Sequence, residues 1–397
     1  IGVNQVIMLC FSMAVISAFI GAKGLGFNLL LALNQLNIGL ALEAGLCISL
    51  IAILLDKMSL AWANKQTDYF GNLTFFQRNK NVIFFAASFV IGIILAYVGT
   101  FIFKGSFNYL FEIPHNKGIS TADFWNKGVD WIFDTFFIYI KAFNTWLIQD
   151  VLQPMRALYL RMPAVATLVL AVGAGYLIGG IRSALVVCAL TLFIALSPWW
   201  DRALVTLYIA TFGVVISCLI GFTVGTLCFQ NKKSAAFMLG ICDIFQTFPS
   251  FVYLIPVMML FGITDTSVLI AVVVYATIPA TRYTIEGLRS VPVGLHEAAT
   301  MSGVNKFQRL TKIEFPLAFP HMMLGLNQTI VFALFMVIIG AFIGTEDLGQ
   351  YILKALSDKN GAGIGLTLGI CVAFIGLIFD NLIRTWVNQR KKHLGIQ

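Results

Sequence analysis

Apolar residues run along this chain in long blocks separated by short polar segments. That is the pattern of helices immersed in hydrocarbon, where no face has to meet water. A helix rising 1.5 Å per residue needs roughly 20 apolar residues to cross a core of about 30 Å. Blocks approaching or meeting that length cover 1–20, 38–56, 82–103, 163–180, 183–199, 203–228, 236–262, 267–281, 320–343 and 364–386. The pattern predicts an all-α polytopic membrane protein with about ten transmembrane helices. One further segment, 131–152, is rich in large apolar residues but carries Asp134, Lys141 and Asp150. Each charge near mid-membrane costs roughly 2.5 to 3.5 kcal/mol, against about 0.3 to 0.6 returned by each large apolar side chain. Phe133, Phe137, Ile140, Phe143, Leu147 and Val151 recur at helical spacing, so an interfacial helix on the outer surface is expected.

Basic residues orient the spans. They gather at Lys65, Arg78 and Lys80, at Lys232 and Lys233, at Arg282 and Arg289, and at Arg390, Lys391 and Lys392. An even number of predicted spans separates each group from the next, so all four fall on one side. That side is expected to be the cytoplasm, and the C-terminus with it.

Composition then narrows the function. Of 397 residues, 59% are hydrophobic and only 11% charged, where a soluble protein carries about 25% charged residues. The net charge of +8 lies in loops between apolar runs, which marks membrane topology and excludes a nucleic-acid-binding stripe. The seven cysteines sit in or beside apolar runs without paired spacing, and the four histidines never fall at i, i+4, so no metal site is expected. No Gly-Lys-Ser or Gly-Lys-Thr phosphate loop occurs, so any use of ATP belongs to a partner, and no cofactor is expected in this chain.

The chain repeats itself. Residues 2–33 align with 325–356 without a gap: Gly2, Asn4 and Gln5 meet Gly325, Asn327 and Gln328, and Ala18, Phe19, Ile20 and Gly21 meet Ala341, Phe342, Ile343 and Gly344. After a one-residue shift, Gly45, Cys47, Asp56 and Trp62 meet Gly369, Cys371, Asp380 and Trp386. Both copies have the same direction, which makes this a parallel duplication. The expected organisation is 1–62 as the last two helices of a first copy whose beginning is missing, 63–81 as a cytoplasmic linker, and 82–397 as a complete second copy.

The segment 282–316 carries the most specific signal. Glu297-Ala298-Ala299 is followed after three residues by Gly303, and after nine more by Ile313, Glu314, Phe315 and Pro316. This resembles the EAA loop of ABC-importer permeases, departing only in Phe315 where that pattern has Leu. Small Ala298 and Ala299 suit a helix that seats in a groove, Glu297 near its start suits a helix N-terminus, and Gly303 permits a sharp turn. The run Gln246-Thr247-Phe248-Pro249-Ser250-Phe251-Val252-Tyr253-Leu254-Ile255-Pro256, with Gly325-Leu326-Asn327-Gln328 and Ile38-Gly39-Leu40-Ala41-Leu42-Glu43-Ala44-Gly45, is similar to permeases of proline and glycine betaine uptake systems.

The resemblance implies a type I-like importer permease in the bacterial plasma membrane, without enzymatic activity of its own. It implies ABC ATPase subunits docking on the loop through Glu297, Ala298, Ala299, Gly303, Ile313 and Pro316. It also implies an extracytoplasmic substrate-binding protein, a small zwitterionic or quaternary ammonium solute, and a role in osmoprotection. Candidates for the translocation path are Asn327, Gln328, Asn4, Gln5, Gln246, Thr247 and Glu43. Interhelical hydrogen bonding is the competing role for the amides, and a snorkelling interfacial position for Glu43. Pro249, Pro256, Gly262 and Pro279 mark breaks or kinks at the bundle centre or beside a gate. The alternative is an ion-coupled secondary carrier, which needs mid-membrane carboxylates in both copies. Apart from Glu43 and Asp243 the spans offer few.

Overall fold

In the computed structural model, residues 10–11, 13–35, 37–63, 80–101, 120–248, 250–341, 345–358 and 360–394 are described, and every regular element among them is helical. Along the chain these are α1 (Leu25–Asn34), α2 (Ile38–Ala63), α3 (Lys80–Phe101), α4 (Ala122–Trp146), α5 (Gln153–Leu160), α6 (Ala164–Leu196) and α7 (Trp200–Phe229). There follow α8 (Lys232–Thr247), α9 (Phe251–Phe261), α10 (Asp265–Arg289), α11 (Val293–Met301), α12 (Phe315–Gly340), α13 (Leu348–Ser357) and α14 (Ala362–Leu394). Among the described residues six helical stretches are long and apolar enough to cross a membrane: Ile38–Ser59, Ala164–Leu196, Trp200–Phe229, Asp265–Arg289, Lys306–Gly340 and Ala362–Lys391. A bent pair makes a seventh.

Three local features reconcile these with the ten expected spans. First, α6 holds two of them. Gly180 sits at φ 67°, a left-handed conformation open to glycine, and it reverses the chain. A Cβ on Gly175 would lie 3.2 Å from Ala184 Cα and 3.3 Å from Val187 Cγ2, whereas a continuous helix would hold Gly175 and Val187 about 18 Å apart. The predicted spans 163–180 and 183–199 are thus the two arms of a tight hairpin.

Second, the span expected at 236–262 is broken by 90° between α8 and α9. The residue preceding a proline is pushed out of the helical region, and Phe248, before Pro249, is extended at ψ 133°. Proline also lacks the N–H that would bond back to the carbonyl of Phe245, and the Tyr253 hydroxyl donates to that carbonyl instead.

Third, α3 matches the block at 82–103 and is apolar on every face. Phe84, Phe89 and Ile94 are all more than half exposed on it, the surface a lipid-facing helix presents. Half of the block at 1–20, residues 1–9 and 12, lies outside the described residues.

The core is three helices deep. α10 runs between α7 and α12, and small residues set the spacing. A Cβ on Gly213 of α7 would come within 2.5 Å of Val272, one on Gly340 of α12 within 2.5 Å of Val268, and one on Gly325 within 2.7 Å of Tyr283. Two-thirds of the α10 span is buried, against about a quarter of α6 and α14, which form the rim.

α4 lies across one end of this bundle. Asn126 Oδ1 accepts from Gly39 N at the start of α2 (2.7 Å), and Asn144 Nδ2 donates to the Phe261 carbonyl at the end of α9 (3.1 Å). Both anchors are at the end where α10 begins, so this helix runs over that end instead of through the bundle. The structure carries it further than 131–152, from Ala122 through a π-turn at Leu147–Leu152 into α5.

The repeated segments fold alike where both are described. α1 and α13 are each 10 residues long and start at the aligned residues Leu25 and Leu348, and α2 and α14 start at the aligned Ile38 and Ala362. α2 packs on α1 as α14 packs on α13, but their other neighbours differ, since α2 meets α4, α8 and α9 while α14 meets α6 and α12.

Candidate functional site

The loop expected over 282–316 is shorter at both ends. α10 continues through Arg282 to Arg289, because the charge at Arg282 is compensated within the bundle. Its Nε donates to Glu286 Oε1 (3.0 Å), and one terminal nitrogen donates to Asp243 Oδ1 (2.7 Å) and Gln246 Oε1 (2.8 Å). At the far side, Lys306–Arg309 and a π-turn over Leu310–Glu314 lead directly into α12. Pro316, without an N–H, follows the π-turn, and the buried Glu314 accepts from Arg309 Nε across it (3.0 Å).

What remains between is one helix and a turn. α11 begins after Pro292, whose extended backbone (ψ 134°) sets its start, so Glu297 sits beyond the first turn and gains little from the N-terminal dipole expected for it. Ala299 is buried and Ala298 exposed. The helix closes in a Schellman motif: Val304 N donates to the Ala299 carbonyl (3.1 Å) and Gly303 N to that of Thr300 (3.1 Å), with Gly303 at φ 73°. Asn305 then caps the next helix, accepting from Gln308 N (2.7 Å) while Gln308 Oε1 accepts from Asn305 N (3.2 Å). A helix, a left-handed glycine and a capping box give a rigid elbow, and the elbow holds large apolar side chains out. Val293 is 69%, Met301 90% and Phe307 72% exposed. Ile313 and Pro316 are half-buried behind it.

Three of the seven path candidates are held in bonds between elements. Asn327 is buried and its Nδ2 donates to Asp380 Oδ1 on α14 (2.8 Å), with Arg384 Nε on the same oxygen (2.6 Å). Its nitrogen thus ties α12 to α14, while its buried Oδ1 has no hydrogen-bond partner among the described residues. Gln246 is taken by Arg282, and Glu43 Oε2 accepts from Ser120 Oγ just before α4 (2.8 Å). Gln328 is half-buried on α12. Asn4 and Gln5 lie outside the described residues, as does the Thr247 side chain. The structure adds Asp243, Arg282, Asp380 and Arg384, whose signal in sequence was charge within or beside an apolar block. Asp243 also borders a cavity of ≈350 Å³ between α2 and α8, with Ile53 and Lys57 opposite. No metal-binding cluster occurs among the described residues.

At the opposite end, Glu346 Oε2 joins Arg156 (3.0 Å) and Arg202 (3.1 Å), and the Tyr208 hydroxyl donates to Asp265. Both arginines hold the Glu346 carboxyl below the usual range. Asp347 beside it is wholly buried.

A bent span thus stands beside an apolar elbow held between two spans. Residues 213–393 match the family described as binding-protein-dependent transport system inner membrane component, and the chain belongs to that family, the permeases of ABC importers. It is 87% identical over 396 residues to a trimethylamine N-oxide transport system permease protein of Pelagibacter ubique, covering 100% of this chain and 55% of that relative. A protein of the same description from Ruegeria pomeroyi is 40% identical over 411 residues, covering 100% of this chain and 59% of its own length. A glycine betaine transport system permease protein of Bacillus subtilis is 33% identical over 197 residues, 50% of this chain and 69% of that protein. The chain thus spans a little over half the length of the two trimethylamine N-oxide relatives.

Proposed function

We propose that this chain is part of the transmembrane pathway of an ATP-driven importer for trimethylamine N-oxide or a closely related small trimethylammonium compound. A separate substrate-binding protein delivers the solute, and separate ATPase subunits drive it by engaging α11. The chain resides in the bacterial plasma membrane with its basic end, the elbow and its C-terminus toward the cytoplasm. It performs no chemistry on the solute.

The observation that carries this reading is the elbow itself. An apolar, rigidly capped helix held out between two spans is suited to docking a soluble subunit and passing its motion to α10 and α12. The carboxylates that ion coupling would require are engaged: Glu43 by Ser120 and Asp243 by Arg282. The solute class follows from the names of the relatives.

The test uses the full-length protein with its ATPase and binding protein in liposomes. Uptake of labelled trimethylamine N-oxide is expected only with ATP inside the cytoplasm-equivalent compartment and binding protein on the other side. Uptake driven by an ion gradient without ATP would replace this reading with a secondary carrier. ATP-driven uptake of glycine betaine with none of trimethylamine N-oxide would correct the solute.

A further inference from the structure

Arg282 stands where two parts of the transport machinery come closest. It is about 10 Å back along α10 from Arg289, and α10 leads through Ser290–Pro292 into α11. Its partners Asp243 and Gln246 lie on one face of α8, three positions apart, and Gln246 is the last residue of the straight arm before the 90° break. Glu286, one turn nearer the elbow, holds the guanidinium from its own helix. Cys242 Sγ, next to Asp243, reaches the Ile278 carbonyl of α10 at 3.9 Å.

Beyond the break, α9 meets the first repeat. A Cβ on Gly45 of α2 would lie 3.1 Å from Val252 and 3.6 Å from Ile255. Asp243 is about 16 Å along α8 from Lys232, within the first arm of the bent span, and an ionised pair within an apolar helix bundle is costly and persists when function needs it. The pair is not closed off, for the Asp243 side chain is 61% exposed and borders the cavity facing Lys57.

We propose that Arg282 is a positioning residue for transport: by binding Asp243 and Gln246 it fixes the arm before the break to the helix that carries the elbow. Displacement of α11 by the ATPase then moves α8, and with it the angle to α9 and the space between the two repeats. The proposal rests on the importer reading above and adds the residue through which drive and gate are joined. A planar guanidinium suits the task, since its donors point in fixed directions, whereas the three donors of an ammonium rotate on a flexible stem.

The experiment uses the full-length protein reconstituted with its ATPase and binding protein. ATP hydrolysis and labelled trimethylamine N-oxide uptake are measured in the same vesicles, alongside a spin-label pair at the exposed Phe237 of α8 and the exposed Ile263 just past the end of α9. In the wild type the label distance is expected to change when ATP binds. In Arg282→Gln, hydrolysis is expected to stay within about twofold while solute moved per ATP falls at least about tenfold, with the label distance unresponsive to ATP. Arg282→Lys should recover only part of the ratio. Asp243→Asn should fall between, and combining it with Arg282→Gln should add nothing, as expected of residues in one network.

A wild-type solute-to-ATP ratio in Arg282→Gln would overturn the proposal. So would uptake and hydrolysis falling together in proportion to the complex assembled, which is the mark of a structural role alone. If Arg282→Gln does not assemble, Asp243→Asn decides by the same ratio. The labels respond whatever solute is carried, so a wild type that moves them without taking up trimethylamine N-oxide refutes the solute and still tests Arg282.

Discussion

Asp347 is wholly buried, yet it is polar and caps a helix. Its Oδ1 accepts from Gln350 N at the start of α13 (3.0 Å), and the neighbouring Leu348 N donates to Thr206 Oγ1 of α7 (3.1 Å). Burial, opposed by the backbone N–H groups and assisted by Asp265, pushes its carboxyl up to about 7. The folded protein therefore prefers Asp347 protonated. Its contribution to stability is complete below the unfolded value near 4 and is lost as pH rises toward about 7, on the order of 1 kcal/mol per pH unit across that window. Thermal unfolding of the purified protein between pH 5 and 7.5 is expected to show a weaker pH slope in Asp347→Asn than in the wild type. An unchanged slope would mean that the carboxyl titrates normally. Glu346 does not mask the effect, since its carboxyl is held low and stays ionised throughout this range. At this scale the sequence was least legible. Asn327 and Gln246 stand out in an apolar block as polar residues in need of partners. The partners, Asp380 and Arg282, are distant in sequence, and no local pattern says whether an amide meets a helix or a solute.

Elements were better legible than contacts, because a helix in hydrocarbon declares itself by length and apolarity while its direction does not. The reversal at Gly180 appears in sequence only as the short gap between two blocks, and the break after Gln246 only as Pro249 inside one. The loop boundary at 282 failed for a related reason: a charge ends an apolar block on paper, but Arg282 finds two carboxylates and a glutamine, and the helix goes on for another two turns. Both π-turns, Leu147–Leu152 and Leu310–Glu314, stand just ahead of a proline, Pro154 and Pro316, which cannot donate to the turn before it. The most readable element was the elbow, since its glycine and its spacing are fixed by geometry. Gly303→Val is expected to force a β-branched residue into φ 73°, at a cost of about 1–3 kcal/mol, and to loosen the Schellman closure. Uptake should fall well before the amount of folded protein does. Equal losses in both would make Gly303 a residue of general stability.

In the molecule as a whole, the close approach of α7, α10 and α12 leaves no room for larger side chains. Gly340→Leu places a branched side chain where even a Cβ meets Val268 at 2.5 Å, and it should cost about 1–3 kcal/mol, lowering the melting temperature of the purified protein. The same change at Gly240, where a Cβ meets nothing within 4 Å, is expected to be near neutral. Similar losses at both sites would contradict the tight core.

At the rim, the α6 hairpin turns on a single residue and has arms of about 24 Å each, several Å short of the hydrocarbon layer it has to cross. With no loop to lengthen, it meets the bilayer by thinning it locally or by reaching toward the interface with the side chains that flank its arms. Lipids with longer tails should strain this edge before any other part of the protein, which makes membrane thickness a variable the hairpin feels first.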